Sequence, residues 1–241
     1  MLTPENWQTP QRILVILAHP DDPDFFCGAT LARWAADGHT LSYCLLTCGD
    51  KGTKDRNLSP DDLCSIRQGE QRAAAAVTGV QKVSFLSYAD GYIIPDLKLR
   101  RDIVRIIRQE KPDILVTSDP TNLYIGESYI NHPDHRYAGQ AVLDAFFPGA
   151  GSHLFFEDLW RTEGLEPHSP REVWITLTSQ PNVTLDVTEH WPVKIRALYE
   201  HASQIGSDRE KFTERMKSRH TADSTPENPR YEEKFRRLVF G

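Results

Sequence analysis

The stretch Ile13 to Asp22, ILVILAHPDD, constrains this chain more than any other. Ile13 to Leu17 is a continuous apolar run, short enough for a strand buried on both faces, as the central strands of parallel sheets are. It ends abruptly in a histidine and two adjacent carboxylates. In open α/β sheets the loops leaving the carboxyl ends of the strands converge on a crevice where ligands bind. A second cluster, His132-Pro133-Asp134-His135, lies far downstream, too distant to share local structure with the first. If the fold brings the two together, the crevice holds three histidines and three aspartates, which reads as a metal site.

The pattern that follows the first strand alternates. Phe25 to Asp37 carries Phe25, Ala29, Ala32 and Ala36 on one helical face, with Gly38 as a stop. Thr40 to Thr47 reads as a strand and Cys48 to Asn57 as a loop. Ser59-Pro60-Asp61-Asp62 combines an N-cap hydroxyl, an early proline and acids at the positive dipole end, so a helix runs from there to Gly79. Lys82 to Leu86 is a strand closed by the turn Tyr88 to Gly91. Leu97 to Arg108 is an amphipathic helix, and Ile114 to Thr117 a fourth strand. The long loop Ser118 to Asn131 then delivers HPDH to the start of a helix over Arg136 to Phe146. Successive βα units imply right-handed crossovers and a parallel sheet. Beyond an unassigned stretch from Phe147 to Pro170, two strands are expected at Val173–Leu177 and Val183–Val187, and a helix at Glu189–Ser203. From about residue 206 the chain is densely charged and reads as a solvated helical tail. With no internal repeat and no low-complexity linker, 1–241 reads as one domain.

Composition excludes some function classes. A net charge of -6 argues against a nucleic acid held by general electrostatics, which needs a cluster of Lys and Arg. No apolar run approaches the roughly 20 residues of a bilayer span, so no membrane partner is expected and a cytoplasmic location is the default. Cys27, Cys44, Cys48 and Cys64 show neither a CxxC pair nor a framework spacing, so reduced, packed thiols are expected.

Each cluster alone has a plain reading: HPDD as a capped turn after a strand, HPDH as a polar helix start. Together they suit a metal that activates water, which needs few protein ligands and open positions. His19 and Asp22 lie within one turn and can face one ion, and a distant histidine completes two imidazoles and one carboxylate, a mix that suits zinc. Asp21, adjacent to a ligand, is placed to take a proton from water. Of His132 and His135, one binds metal and the other polarises the substrate oxygen or protonates a leaving group. Asp134 orients whichever histidine it touches.

Seven segments in order, AHPDD, CGATLARWAADGHTLSY, TCGDKGT, SIRQGEQ, YADGYIIP, KPDILVTSDP and NHPDH, resemble the LmbE/PIG-L zinc-dependent N-deacetylases. The resemblance covers roughly Gln11 to Phe146 and returns from PNVTLDVTE to HASQ. The loop and helix motifs look most like diacetylchitobiose deacetylases, and the enzymes of mycothiol and bacillithiol synthesis are also similar. The resemblance implies an α/β, Rossmann-like three-layer sandwich with a mostly parallel central sheet, and removal of an N-acetyl group from a small N-acetylglucosamine glycoside or chito-oligosaccharide. One Zn2+ per chain would be held by His19, Asp22 and His135. Asp21 would be the base, His132 the oxyanion stabiliser or acid with Asp134 beside it, and Arg67 and Asp90 would hold sugar hydroxyls. Trimers or hexamers of the chain are implied as possible assemblies. One departure is visible: the family follows AHPDD with Glu, where this chain has Pro23 and then Asp24, which bears on loop shape and substrate fit.

Other residues carry plainer expectations. Asp119 faces the same crevice or caps its loop, and Tyr124 and Tyr129 line the site or pack. His39, His153, His168, His190, His201 and His220 are expected at the surface or in packing, His201 being the least secure. The loop Gly49 to Gly52 lacks the GxxxxGK[ST] pattern of nucleotide-binding loops. Two rival classes remain: an iron-dependent oxygenase with the same ligand types, which ordinarily sits in a β-barrel, and a sugar-binding protein without catalysis. An amidase acting on a mycothiol-type glucosaminyl conjugate is the nearest alternative reaction.

Overall fold

The apolar run is a strand in the interior of a seven-stranded sheet. In the computed structural model, which describes residues 4–240, β1 (Arg12–Leu17) pairs in parallel with β2 (Thr40–Leu45) on one side and β4 (Ile114–Ser118) on the other. β3 (Lys82–Phe85) extends the β2 side, and β7 (Glu172–Thr176) extends the β4 side, both parallel. A two-stranded hairpin, β5 (Tyr124–Ile125) and β6 (Tyr129–Ile130), rises from the long loop after β4. β8 (Val183–Asp186) and β9 (Glu232–Val239) complete the order β3-β2-β1-β4-β7-β9-β8.

Helices cover both faces. Ile13, Val15 and Leu17 pack with α1 (Asp22–Ala36), α2 (Pro60–Thr78), α6 (Trp191–Glu200) and α8 (Arg209–Lys217). Leu14, Ile16 and Ala18 pack with α3 (Leu97–Glu110) and α4 (Pro133–Asp144). The short α5 (Glu157–Arg161) and α7 (Ala202–Ile205) close the set. Each fully buried Ile or Leu of β1 contributes about 1.5–3 kcal/mol relative to exposure, which makes this strand the anchor of both layers. The caps follow the sequence: Ser59 accepts from Asp62 N at the start of α2, and Gly79 ends it in the left-handed conformation.

The connections place the site. From β1 the chain winds outward through β2 and β3, then returns to the opposite side of β1 for β4. The order in which strands are added therefore reverses between β1 and β4, and the loops leaving these parallel strands carry HPDD and HPDH to the same crevice. Gly139 lets α4 seat there, since a Cβ at this position would collide with the Ser118 carbonyl of β4.

Two expectations are corrected. The charged C-terminal segment is not only a solvated helical tail: α8 is followed by β9, inserted antiparallel between β7 and β8. Its inward positions include Glu233, whose buried carboxylate accepts from Thr30 N at 2.8 Å and from Lys194 Nζ at 2.6 Å. A charge on the inward face hides the alternation that marks a strand. The cysteines are not all reduced: Cys48 and Cys64 form a disulfide, with Cα atoms 5.1 Å apart, while Cys27 and Cys44 are free and buried. The loop after β2 folds back on the first turns of α2, a contact no local spacing announces. No helix among the described residues is long and apolar enough to cross a membrane.

Candidate metal and catalytic site

The crevice between the β1 and β4 exits is a cleft of about 400 Å³. Its walls include His19, Asp21, Asp22, His132 and His135, so the two motifs meet as expected. Asp21 and His132 are the N-cap positions of α1 and α4, which points two positive helix ends at the cleft and favours negative charge there.

The nitrogens of the histidines are sorted by their partners. Asp22 Oδ2 stands 3.3 Å from His19 Nδ1, and Asp22 Oδ1 stands 3.0 Å from His135 Nε2. The outer nitrogens are engaged elsewhere. His19 Nε2 lies 3.2 Å from Asp90 Oδ1 and 3.3 Å from Asp134 Oδ2, and His135 Nδ1 lies 3.0 Å from Asn131 Oδ1. Acceptors at the outer nitrogens fix both rings with their inner nitrogens toward Asp22, the arrangement of metal-binding imidazoles. For metal–ligand bonds of about 2.0–2.2 Å, the edge of a tetrahedron is about 3.3–3.6 Å. The two Asp22 contacts, at 3.3 and 3.0 Å, lie at or just under that edge.

Two sets of three residues bring one ligand atom each within 4.8 Å of one another: His19 with His132 and His135, and His19 with Asp90 and Asp134. His132 Nδ1 accepts the Asp134 N–H at 3.2 Å, which spends that lone pair and places the ring proton on Nε2. His132 is thereby a donor toward the cleft. Asp134 is fully buried and accepts from Gly91 N at 2.7 Å and Ile93 N at 3.2 Å as well as facing His19, so it orients a ligand. Asp90 accepts from Lys51 N at 3.0 Å with its second oxygen and does the same.

Charge distribution follows the geometry. Burial alone would raise the Asp22 pKa, but His135 and His19 outweigh it and hold the carboxyl well below the usual range. Burial opposes a proton on His19, yet Asp22 and the hydrogen bonds to Asp134, Asp22 and Asp90 raise its pKa well above the ordinary value. Asp90 is held down to about 2, because the His19 contacts overcome burial. Asp21 moves the other way: burial raises it to about 6, with Arg67 opposing. His132 is lowered by burial and by the neighbouring His19 and His135, so it is neutral near pH 7.

Arg67 lines the cleft. Its guanidinium donates to Pro20 O at 2.6 Å and Gly49 O at 2.8 Å and stands 3.4 Å from Asp21 Oδ1. It ties two loops together beside Asp21. Gly49 makes room for it, at φ 71° with the guanidinium where a Cβ would be. Phe25, Phe26, Lys51, Tyr129 and Gln204 form the remaining wall. Asp119 caps its own loop, accepting from Thr121 N at 2.7 Å.

Sequence reasoning missed three participants. Asn131, the residue before HPDH, had a signal in its spacing of one helical turn from His135. Gln71 and His201 lie in the SIRQGEQ and HASQ segments, but their pairing had no local signal: they come from α2 and the α6–α7 junction, and His201 is fully buried, packed against Asp24. Asp21 itself adopts φ 90° and ψ -30°, a conformation that costs a non-glycine residue about 1–3 kcal/mol.

A diacetylchitobiose deacetylase of Thermococcus kodakarensis is 33% identical over 85% of this chain and 74% of its own length. A probable N-acetyl-alpha-D-glucosaminyl L-malate deacetylase of Bacillus anthracis is 25% identical over 82% of this chain and 83% of its own. The structure of N,N'-diacetylchitobiose deacetylase from Pyrococcus horikoshii superposes with a TM-score of 0.83 at 29% identity, covering 95% of this chain and 84% of that one. The family model described as PIG-L, GlcNAc-PI de-N-acetylase, matches residues 14–146, which include both motifs of the crevice, and the chain belongs to that family.

Proposed function

We propose that this protein is a metal-dependent hydrolase that removes the acetyl group from an N-acetylglucosamine unit of a small glycoside or chito-oligosaccharide. The observation that carries the reading is the Asp22 carboxylate set between His19 Nδ1 and His135 Nε2, with the outer nitrogen of each ring tied to an acceptor. Two imidazoles and a carboxylate suit zinc, one ion per chain. Such an ion would supply Lewis acidity toward an amide carbonyl and make water easier to deprotonate.

The chain's own residues do the rest. Asp21, with a pKa near 6, is ionised at neutral pH yet basic enough to take a proton from water as its oxygen bonds to the carbonyl carbon. Arg67 keeps the Asp21 carboxylate in place. His132, with its proton on Nε2, donates to the carbonyl oxygen as negative charge develops; one such donor is worth about 2.7–4 kcal/mol elsewhere. The carbon–nitrogen bond breaks as the proton held by Asp21 passes to nitrogen, leaving acetate and a free amine. Asp134, Asp90 and Asn131 fix the ligand rings. The sugar then falls to the outer wall, where Lys51 and Gln204 offer donors and Phe25, Phe26 and Tyr129 offer apolar surface, with Arg67 and Asp90 shaping the floor.

We assign residues 1–241 to one catalytic domain, since β9 near the C-terminus pairs with β7 in the same sheet. The open parallel sheet is not the barrel that the oxygenase reading needs. The test is acetate or free-amine release by zinc-loaded protein from N-acetylglucosamine, its β-linked dimer, and its inositol and malate glycosides. Release from at least one is expected. Binding of these compounds without release would favour a sugar-binding role and overturn the proposal.

A further inference from the structure

The peptide bearing Asp21 is held by a buried hydrogen-bond chain that the chemistry above does not use. Asp21, at φ 90°, stays in a region that non-glycine residues occupy only when their surroundings impose it. Its N–H donates to Gln71 Oε1 at 2.7 Å. The other end of that amide, Nε2, donates to Asp24 Oδ2 at 2.8 Å, and the same oxygen accepts from His201 Nε2 at 2.9 Å. Gln71, Asp24 and His201 are each 0% exposed, so no water substitutes for these partners.

The order of the chain matters. An ionised carboxylate only accepts, so Asp24 requires the NH2 of Gln71 to face it, and the amide oxygen is thereby turned toward Asp21 N–H. A flipped amide would set oxygen against carboxylate and NH2 against N–H. His201 fixes Asp24 from the far side, so α1, α2 and the α6–α7 junction all act on one peptide group.

We propose that Gln71 is a positioning residue for the base: oriented by Asp24 and His201, it holds Asp21 in its left-handed conformation and so aims the Asp21 carboxylate into the cleft. The activity readout rests on the deacetylase reading; the geometry does not. Misplacing a reacting group by about 1 Å costs on the order of 100-fold in rate.

The test compares Gln71→Met, Asp24→Leu, the double variant and Asp24→Asn, each loaded with zinc. Gln71→Met and Asp24→Leu each lower kcat by about 10- to 100-fold, while KM stays within about twofold and bound zinc per chain is unchanged. The double variant is no slower than the slower single one, because both break the same device. Asp24→Asn, whose carbonyl still accepts from Gln71, retains most of the activity. A wild-type kcat in Gln71→Met, losses that multiply in the double variant, or losses confined to KM or metal content overturn the proposal. If Gln71→Met does not fold, equal rates in Asp24→Asn and Asp24→Leu overturn it instead. Amide hydrogen exchange at Asp21 needs no activity: it speeds up in Asp24→Leu, and unchanged exchange refutes the clamp. Wild-type protein that releases no acetate refutes the deacetylase reading alone.

Discussion

Replacing His132 by alanine separates a ligand from a donor. His132 lines the cleft close to His19 and His135, with ring centroids 4.9 and 5.3 Å away, and proximity alone would make it a third imidazole ligand. The Asp134 N–H at its Nδ1 argues otherwise, since it leaves the proton on Nε2 of a cleft-lining ring. Burial and the two neighbouring rings lower its pKa, so it is a neutral donor at pH 7. Loss of one such donor costs about 2.7–4 kcal/mol, or about 10²–10³ in kcat. The same side chain caps α4, and removing a cap costs about 1 kcal/mol of stability, too little to unfold a domain of ordinary stability. His132→Ala is therefore expected to keep its zinc, melt slightly earlier and turn over about 10²–10³ more slowly. His132→Asn, which preserves a cap, restores stability but not the rate. The assay pairs acetate release with metal content by atomic absorption. Zinc lost from His132→Ala, or an unchanged kcat, refutes the tautomer argument.

Asp21→Ala should retain metal yet lose about 10²–10⁴ of its rate, the usual range for a proton-transfer group; equal turnover in the variant removes its assigned role. A bound cation can only lower the Asp21 pKa of about 6, so the acid limb of kcat/KM lies at or below about pH 6, and a limb above pH 7 contradicts the assignment. Opening the Cys48–Cys64 link, which closes a separation of 16 residues, should cost about 3 kcal/mol of stability by chain entropy; a urea midpoint unmoved by Cys48→Ser/Cys64→Ser shows that the bond does not form. Glu172 is opposed by burial, but hydrogen bonds from Arg237, Trp174 and Trp7 lower its pKa below the usual glutamate value. The unfolded chain then binds the extra proton, so this contribution is complete above about pH 4.5 and is lost as pH falls through the lower folded value. Glu172→Gln should flatten the acid limb of stability against pH; an unchanged slope rules out this source.

The parts of this molecule legible in its sequence are those whose signals are local. Ile13 to Leu17 announces a doubly buried strand because it has no polar position, and Ser59 and Gly79 announce the ends of α2 by their chemistry. The meeting of HPDD and HPDH was legible because strand-to-helix alternation fixes which loops share an edge. What was not legible depends on contacts between distant segments. β9 is disguised by Glu233, which faces inward only because Lys194 and Thr30 await it. The link between Cys48 and Cys64 needs α2 folded against its own entry loop. His201, read as a surface or packing residue, is a packing one, and its partner could not be named because Asp24 comes from the other end of the chain. Arg67 and Asp90, which the resemblance assigns to sugar hydroxyls, both line the cleft, and within the chain Arg67 contacts Pro20 and Gly49 and Asp90 contacts His19 and Lys51.

The account depends on one ion shared by two segments far apart in sequence, and anomalous diffraction at the zinc edge from crystals of the loaded protein tests it directly. One ion per chain is expected, bonded to His19 Nδ1, an oxygen of Asp22 and His135 Nε2, with His132 Nε2 outside bonding distance. An ion bonded to His132, an ion between Asp90 and Asp134, or no ion at this edge of the sheet contradicts it.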